Sequence, residues 1–206
     1  MVFGGEPLLF PDSAAKLIAA ARDAKIPRRQ IITNGYFSKN DEAMRRVAFS
    51  LAESGVNDLL LSVDAFHQET IPLETVRSFA IFAKEAGIPI RLQPAWLVSS
   101  EAENLYNVKT RAILNHLQQD GFPIGSGNVI FPEGNAKKYL AEYFTDSVPE
   151  NPYVEDPENV RCLSVDPDGS LLGEKLYEKS IITHHGTCNA SYDSLHDYCS
   201  CCRNRC

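Results

Sequence analysis

The first 161 residues contain no cysteine. A secreted domain stapled by disulfides spreads its cysteines through the fold, so that class is excluded. No apolar run approaches the ~20 residues of a membrane helix. No basic leader followed by an apolar stretch opens the chain, so a secretory signal is not read here. A surplus of positive charge is missing as well. Twenty Lys and Arg face 27 Asp and Glu, for a net charge of -7. A general nucleic-acid binder needs a basic face, and this balance argues against one. The expectation is a cytoplasmic protein with neither a membrane nor a nucleic acid as partner.

What is present suits a globular protein. The chain has 206 residues, 44% hydrophobic and 23% charged, enough for one core plus a small appendage. Of six cysteines, Cys162 stands alone, and Cys188, Cys199, Cys201, Cys202 and Cys206 crowd the end. In a cytosolic chain such a cluster points to metal or redox chemistry.

Apolar periodicity alternates along the first 145 residues. Helical spacing predicts helices over 13–25, 41–54, 73–86 and 102–119, with one more carried by Ala136, Tyr139, Leu140, Tyr143 and Phe144. In 41–54 the inward positions are Met44, Val47, Ala48, Leu51 and Ala52. In 73–86 they are Val76, Phe79, Ala80, Ala83 and Ala86, and in 102–119 they are Leu105, Val108, Ala112 and Ile113. Between the helices lie short runs that read as strands, at 30–34, 58–64, 88–93 and 128–131. The run at 58–64 is apolar nearly throughout, as strands covered on both faces are. This alternation means βαβ units and a parallel sheet, coiled or open. In such folds chemistry gathers at the carboxyl ends of the strands. Those ends carry Gly4-Gly5-Glu6, Thr33-Asn34-Gly35, Ser62 and Asp64, Arg91 and Gln93, and Glu133-Gly134-Asn135, all polar or glycine.

Residues 146–160 are acidic and proline-rich, and read as a linker or covering loop. Residues 161–206 begin with a predicted hairpin, turning at Asp166-Pro167-Asp168-Gly169, and end in the cysteine-rich tail.

Three strand ends carry a family resemblance. Gly4-Gly5-Glu6-Pro7, Ile32-Thr33-Asn34-Gly35 and Leu61-Ser62-Val63-Asp64, in this order and spacing, resemble the second, third and fourth strand ends of radical S-adenosylmethionine (SAM) enzymes. The hairpin from Cys162 to Gly169 is similar to the entry of the cysteine-rich extension that many members carry. The resemblance covers most of the chain. It implies a partial (β/α)6 barrel, SAM, and a [4Fe-4S] cluster that generates a 5′-deoxyadenosyl radical for hydrogen abstraction from a small-molecule or peptide substrate. It also implies a reductant such as a ferredoxin or flavodoxin. By this resemblance Gly4, Gly5 and Glu6, with Pro7 stiffening the exit, would hold the methionyl ammonium. Asn34 would line the pocket floor, Ser62 and Asp64 would lie near the ribose, and Arg91 would meet the methionyl carboxylate.

The chain departs from the family at one place. The three-cysteine motif CxxxCxxC that ligates the primary cluster belongs in the loop after the first strand, and nothing of it precedes Gly4. The expected explanation is an N-terminally shortened chain, lacking its first strand and cluster loop and leaving an apolar sheet edge uncovered. The alternative is a degenerate homologue. In the tail, Cys199, Cys202 and Cys206 have chelating spacing, with Cys188, Cys162 and His196 within reach in sequence. An auxiliary iron–sulfur cluster, a structural zinc, and a tail of free thiols are the three readings. Against the enzyme stands a non-catalytic binding or scaffold protein with a barrel remnant and a structural metal. A different α/β-barrel enzyme using Asp64 and His67 as metal ligands is a third possibility. His67 otherwise reads as a surface or pocket histidine, and Trp96 and Tyr106 as core or pocket wall.

Overall fold

The computed structural model describes residues 1–145, 164–165 and 171–172. The chain divides into two compact units, Met1–Pro149 and Glu150–Cys206. The metal-ligand expectation for Cys162, Cys188, Cys199, Cys202 and Cys206 falls outside the described residues, as does the linker 146–160.

In the first unit, mixed helix and parallel sheet follow the predicted alternation. Strands β1 (Gln30–Thr33), β2 (Asp58–Ser62) and β3 (Ile90–Gln93) pair in parallel in the order of the sequence. Gln30 lies opposite Asp58, and Leu60 opposite Arg91. Val2 extends the sheet beyond β1 by bridging Ile31, and Ile124 extends it beyond β3 by bridging Leu92. Strands β4 (Ala95–Leu97) and β5 (Asn128–Ile130) form a second parallel pair. The helices are α1 (Pro11–Asp23), α2 (Asp41–Ser54), α3 (Leu73–Glu85), α4 (Leu105–Gln118) and the short α5 (Gly134–Tyr139). Helix α1 packs beside α2, and α2 beside α3, in the order of the strands.

Local chemistry explains the element boundaries. Asn40 caps α2 by accepting a hydrogen bond from the Ala43 amide at 2.8 Å, and Asp41 and Glu42 favour the positive end of the helix. Gly55 ends it in a left-handed conformation, its amide bonded to Leu51 and Ala52 carbonyls. Pro94 separates β3 from β4, because it has no N–H to give a ladder. The sequence carries no separate signal for β4, which follows β3 across the single residue Pro94. On β2, Leu59, Leu60 and Leu61 are all buried, as expected of a strand covered on both faces. The predicted inward positions of α2 and α3 are buried or packed against the core.

Helix α4 turns a different face inward. Leu105 and Val108 are 59% and 50% exposed, and Asn107, Thr110, Leu114 and Leu117 are buried in their place. The cause is polar. The Asn107 carboxamide accepts from the Leu97 amide at 2.9 Å and donates to the carbonyls of Leu97, Ser99 and Ala102. The Thr110 hydroxyl accepts from the Ala65 amide at 3.0 Å. The helix thus fastens two strand-end loops, and satisfying their backbone outweighs burying two aliphatic side chains. One of these loops includes Val98, whose φ of 71° is rare for a β-branched residue.

Gly35, two residues after the end of β1, also has a positive φ, and a Cβ there would lie 3.0 Å from Leu61 Cδ1 and 3.3 Å from Phe79 Cδ1. Gly35→Ala is expected to cost about 2–3 kcal/mol, from the strained backbone and the overpacked core together. A urea titration checks this, with the midpoint falling at unchanged slope.

The second unit, taken by itself, shows antiparallel strands β6 (Ser164–Val165) and β7 (Leu171–Leu172), at the predicted hairpin.

Candidate functional site at the strand ends

The turn before α1 is built around one carboxylate. Gly4 and Gly5 have φ of 99° and 55°, and a Cβ on either would meet nothing within 4 Å. Their backbone therefore lies open. Glu6 follows, and its side chain folds back into the protein. Oε1 accepts from the Leu8 amide at 2.9 Å and from the Thr33 hydroxyl at 2.5 Å, and Oε2 accepts from the Asn34 amide at 2.8 Å. The Thr33 hydroxyl in turn accepts from the Gly35 amide at 3.0 Å. Glu6 thereby ties the Gly-Gly turn to the carboxyl end of β1. Three protein donors use the carboxylate, so a ligand ammonium here would be met by the open glycine backbone. Asn34 lies in the same knot, and its side-chain carbonyl accepts from the Tyr36 amide at 2.8 Å.

A second buried carboxylate organises the end of β2. Asp64 is fully buried. Its Oδ1 accepts from the amides of Phe66 and His67 at 2.9 and 3.0 Å. Its Oδ2 meets His67 Nδ1 at 2.8 Å and the Ala95 amide at 3.0 Å. This carboxylate fixes the loop after β2 and holds it to the chain leaving β3. Burial alone would lower the His67 pKa. The hydrogen bond to Asp64 and the charges of Asp64 and Glu6 outweigh burial and raise it above the ordinary histidine value. Glu6, Asp64 and His67 therefore share one electrostatic neighbourhood. Gln68 accepts from the Asp64 amide at 2.9 Å through Oε1, while its buried Nε2 has no partner among the described residues.

The predicted residues divide in two. Glu6, in the turn that also carries Gly4, Gly5 and Pro7, bonds Asn34 in the β1 knot, and Ser62 and Asp64 stand at the carboxyl end of the adjacent strand. Arg91 does not join them. Its guanidinium donates to Asp58 at 2.8 and 3.2 Å, where Arg28 and Gln30 also donate. Asp58 and Gln30 are the first residues of their strands, so Arg91 belongs to the amino end of the sheet. Burial would raise the Asp58 pKa, but the hydrogen bonds from Arg91, Arg28 and Gln30 prevail and hold it below the usual carboxylate value. A cleft of about 630 Å³ opens at this end, with Arg28, Asp58, Arg91, Ile88 and Phe122 among its lining. Glu133, Gly134 and Asn135 lie at the entry of α5. Trp96 is buried, its indole N–H donating to the Ser126 carbonyl at 3.0 Å, which places it in the core.

Two contacts of the site join residues named above in ways that no local sequence signal carries. Thr33 closes the Glu6 knot from 27 residues away. Tyr106 stacks on Phe66, with centroids 4.5 Å apart and planes 9° from parallel, and makes an edge contact with Tyr143.

Among the described residues, no group of three or more His, Cys, Asp or Glu is arranged to hold a metal ion. In particular, Asp64 and His67 are committed to each other and to backbone amides. Among the described residues no helix is long and apolar enough to cross a membrane. No protein-family model matches the chain, and no curated protein matches it.

Proposed function

We propose that this chain binds S-adenosylmethionine at the carboxyl ends of a partial (β/α)6 barrel of the radical SAM kind. The observation that carries the reading is the Glu6 knot, which brings the Gly4-Gly5 backbone beside Thr33 and Asn34, one strand away from Asp64. Strands that neighbour in space as in sequence suit a barrel, since a doubly wound sheet reverses its order. The residues fit SAM in one specific respect: the glycine backbone is open where a Cβ would stand, so a ligand can approach the chain closely. SAM would supply a sulfonium and a transferable adenosyl group. The protein's part is to hold the turn rigid from behind, through Glu6, and the loop after β2 rigid through Asp64.

The iron–sulfur cluster does not have the same support. Residues 1–145 contain no cysteine, so the described residues offer no thiolate to it. Hydrogen abstraction from a small-molecule or peptide substrate, with a ferredoxin or flavodoxin as electron source, belongs to the reading only together with a cluster. The second reading is a non-catalytic SAM-binding module that keeps a barrel remnant.

Isothermal titration of the full chain with SAM tests the proposal. A saturable heat is expected, and Gly5→Val, which sets a branched side chain at a positive φ in the open turn, should weaken binding by about tenfold or more. No binding by the folded protein would overturn the proposal. Anaerobic reconstitution with iron and sulfide separates the two readings. A cluster that changes its spectrum on adding SAM supports the enzyme, and SAM binding without a cluster supports the module.

A further inference from the structure

We propose that Asp64 and His67 form an acid–base dyad at the carboxyl end of β2, with His67 Nε2 the atom that takes and returns a proton of the bound substrate. The inference concerns what the site does to a protic substrate, and it stands without SAM.

The geometry carries it. The imidazole is bound through Nδ1, 2.8 Å from Asp64 Oδ2. A carboxylate at that distance accepts the Nδ1 proton, which fixes the neutral ring in one tautomer and leaves Nε2 as the basic lone pair. The His67 side chain is 36% exposed, whereas the Asp64 side chain is inaccessible. Part of the His67 side chain thus meets solvent, and the group that orients the ring cannot be approached. Nucleophile-activating and proton-transferring histidines need this division of roles.

A purely structural role for the ring accounts for less. Asp64 has three backbone amides, from Phe66, His67 and Ala95, which hold the loop after β2 whatever side chain stands at position 67. The imidazole adds no tie between separate elements, because it bonds a residue only three positions away. What it does add is a titratable atom beside the Glu6 knot.

The charged groups acting on the ring are Asp64, at the end of β2, and Glu6, from the turn before α1. Both favour imidazolium, so a proton taken up at Nε2 is stabilised where it lands. The step balances as a proton transfer: the X–H bond of the substrate breaks, N–H forms at Nε2, and the electron pair stays on X. The return step restores the neutral ring, and no oxidant or reductant takes part. The substrate class is a protic one, carrying an O–H, an N–H or a carbonyl-activated C–H.

Two measurements on the full chain test the dyad. Imidazole ¹⁵N NMR should show His67 with its proton on Nδ1 when neutral and a titration midpoint above the ordinary histidine value. The Nε2–H tautomer would overturn the proposal. Hydrolysis of p-nitrophenyl acetate gives a chemical readout, in which Nε2 takes the proton of the attacking water as p-nitrophenolate leaves. The rate should rise with pH through the NMR midpoint. It should fall about tenfold in His67→Gln and stay unchanged in His116→Gln, which removes an exposed histidine of α4. His67→Gln keeps the three backbone ties to Asp64, so circular dichroism should report a folded protein. An ester rate in that variant equal to the parent's would overturn the dyad.

Discussion

Replacing Asp64 by alanine is expected to lower the unfolding free energy by about 3–5 kcal/mol, measured as a drop in the urea midpoint. The side chain is fully buried and receives four hydrogen bonds. Removing it leaves the Phe66, His67 and Ala95 amides without their acceptor, and each buried, unpaired amide costs about 1–3 kcal/mol. Partial hydration of the loop offsets some of that sum, so the expected loss is below the arithmetic total. Asp64→Asn keeps the volume and one acceptor but turns an N–H₂ toward a backbone donor or the imidazole. It should fall between the parent and the alanine variant. The same titrations carry a pH signature. The folded-state pKa of His67 is raised, so the stabilisation it brings is fully present below the unfolded value of about 6.5 and is lost as pH rises through the folded value. Asp64→Ala removes the hydrogen bond and the nearer charge that raise this pKa, so it should shrink that dependence.

Glu6→Ala should weaken SAM by about a hundredfold while destabilising the protein by only about 1–2 kcal/mol. The asymmetry follows from position. The carboxylate lies at the first turn of the chain, half-buried, and water can reach donors that it leaves behind. The turn, however, loses its side-chain bonds to Thr33 and Asn34 together with the local bond to Leu8, and a ligand held by the Gly4-Gly5 backbone must then help to order the turn itself. Glu6→Gln presents an amide N–H₂ where either Asn34 N–H or Thr33 O–H needs an acceptor, so it should recover little. Calorimetry and urea titration on the same samples separate the two effects. A variant that binds SAM as the parent does would remove Glu6 from the proposed site.

The fold was legible where hydrophobic burial decides it. Helices α2 and α3 have their apolar residues on one side, and the burial of Met44, Leu51, Val76 and Phe79 follows the 3.6-residue period. Helix α4 was misread because its inner face is carried by Asn107 and Thr110, and no periodicity rule places an asparagine in a core. Its partners are backbone groups of loops, invisible as residue types. Arg91 was misplaced for a related reason. A residue's position along a short strand leaves a long side chain free to run toward either end, and Asp58 draws this one to the amino end. Gly4, Gly5, Glu6, Asn34 and Asp64 lie at the carboxyl ends of neighbouring strands, because strand-end residues answer to topology: βα order alone sends them to one end of the sheet. Their mutual distances were not legible. That Glu6 would spend its charge on Thr33 and Asn34 depends on side-chain geometry across 27–28 residues.

Val2 joins β1 through only two backbone hydrogen bonds, from its own amide to the Gln30 carbonyl and from the Ile32 amide to its carbonyl. It is a one-residue strip of the sheet, and the Gly4-Gly5 turn hangs directly from it. Fraying begins at such margins, well below the free energy of global unfolding. The opening that releases Val2 would also withdraw the glycine backbone from Asn34, while β2 and β3 stay paired. If the turn binds the proposed ligand, folding and ligand capture are coupled at one hem of the protein: a molecule seated on the turn would also stitch the margin of the sheet.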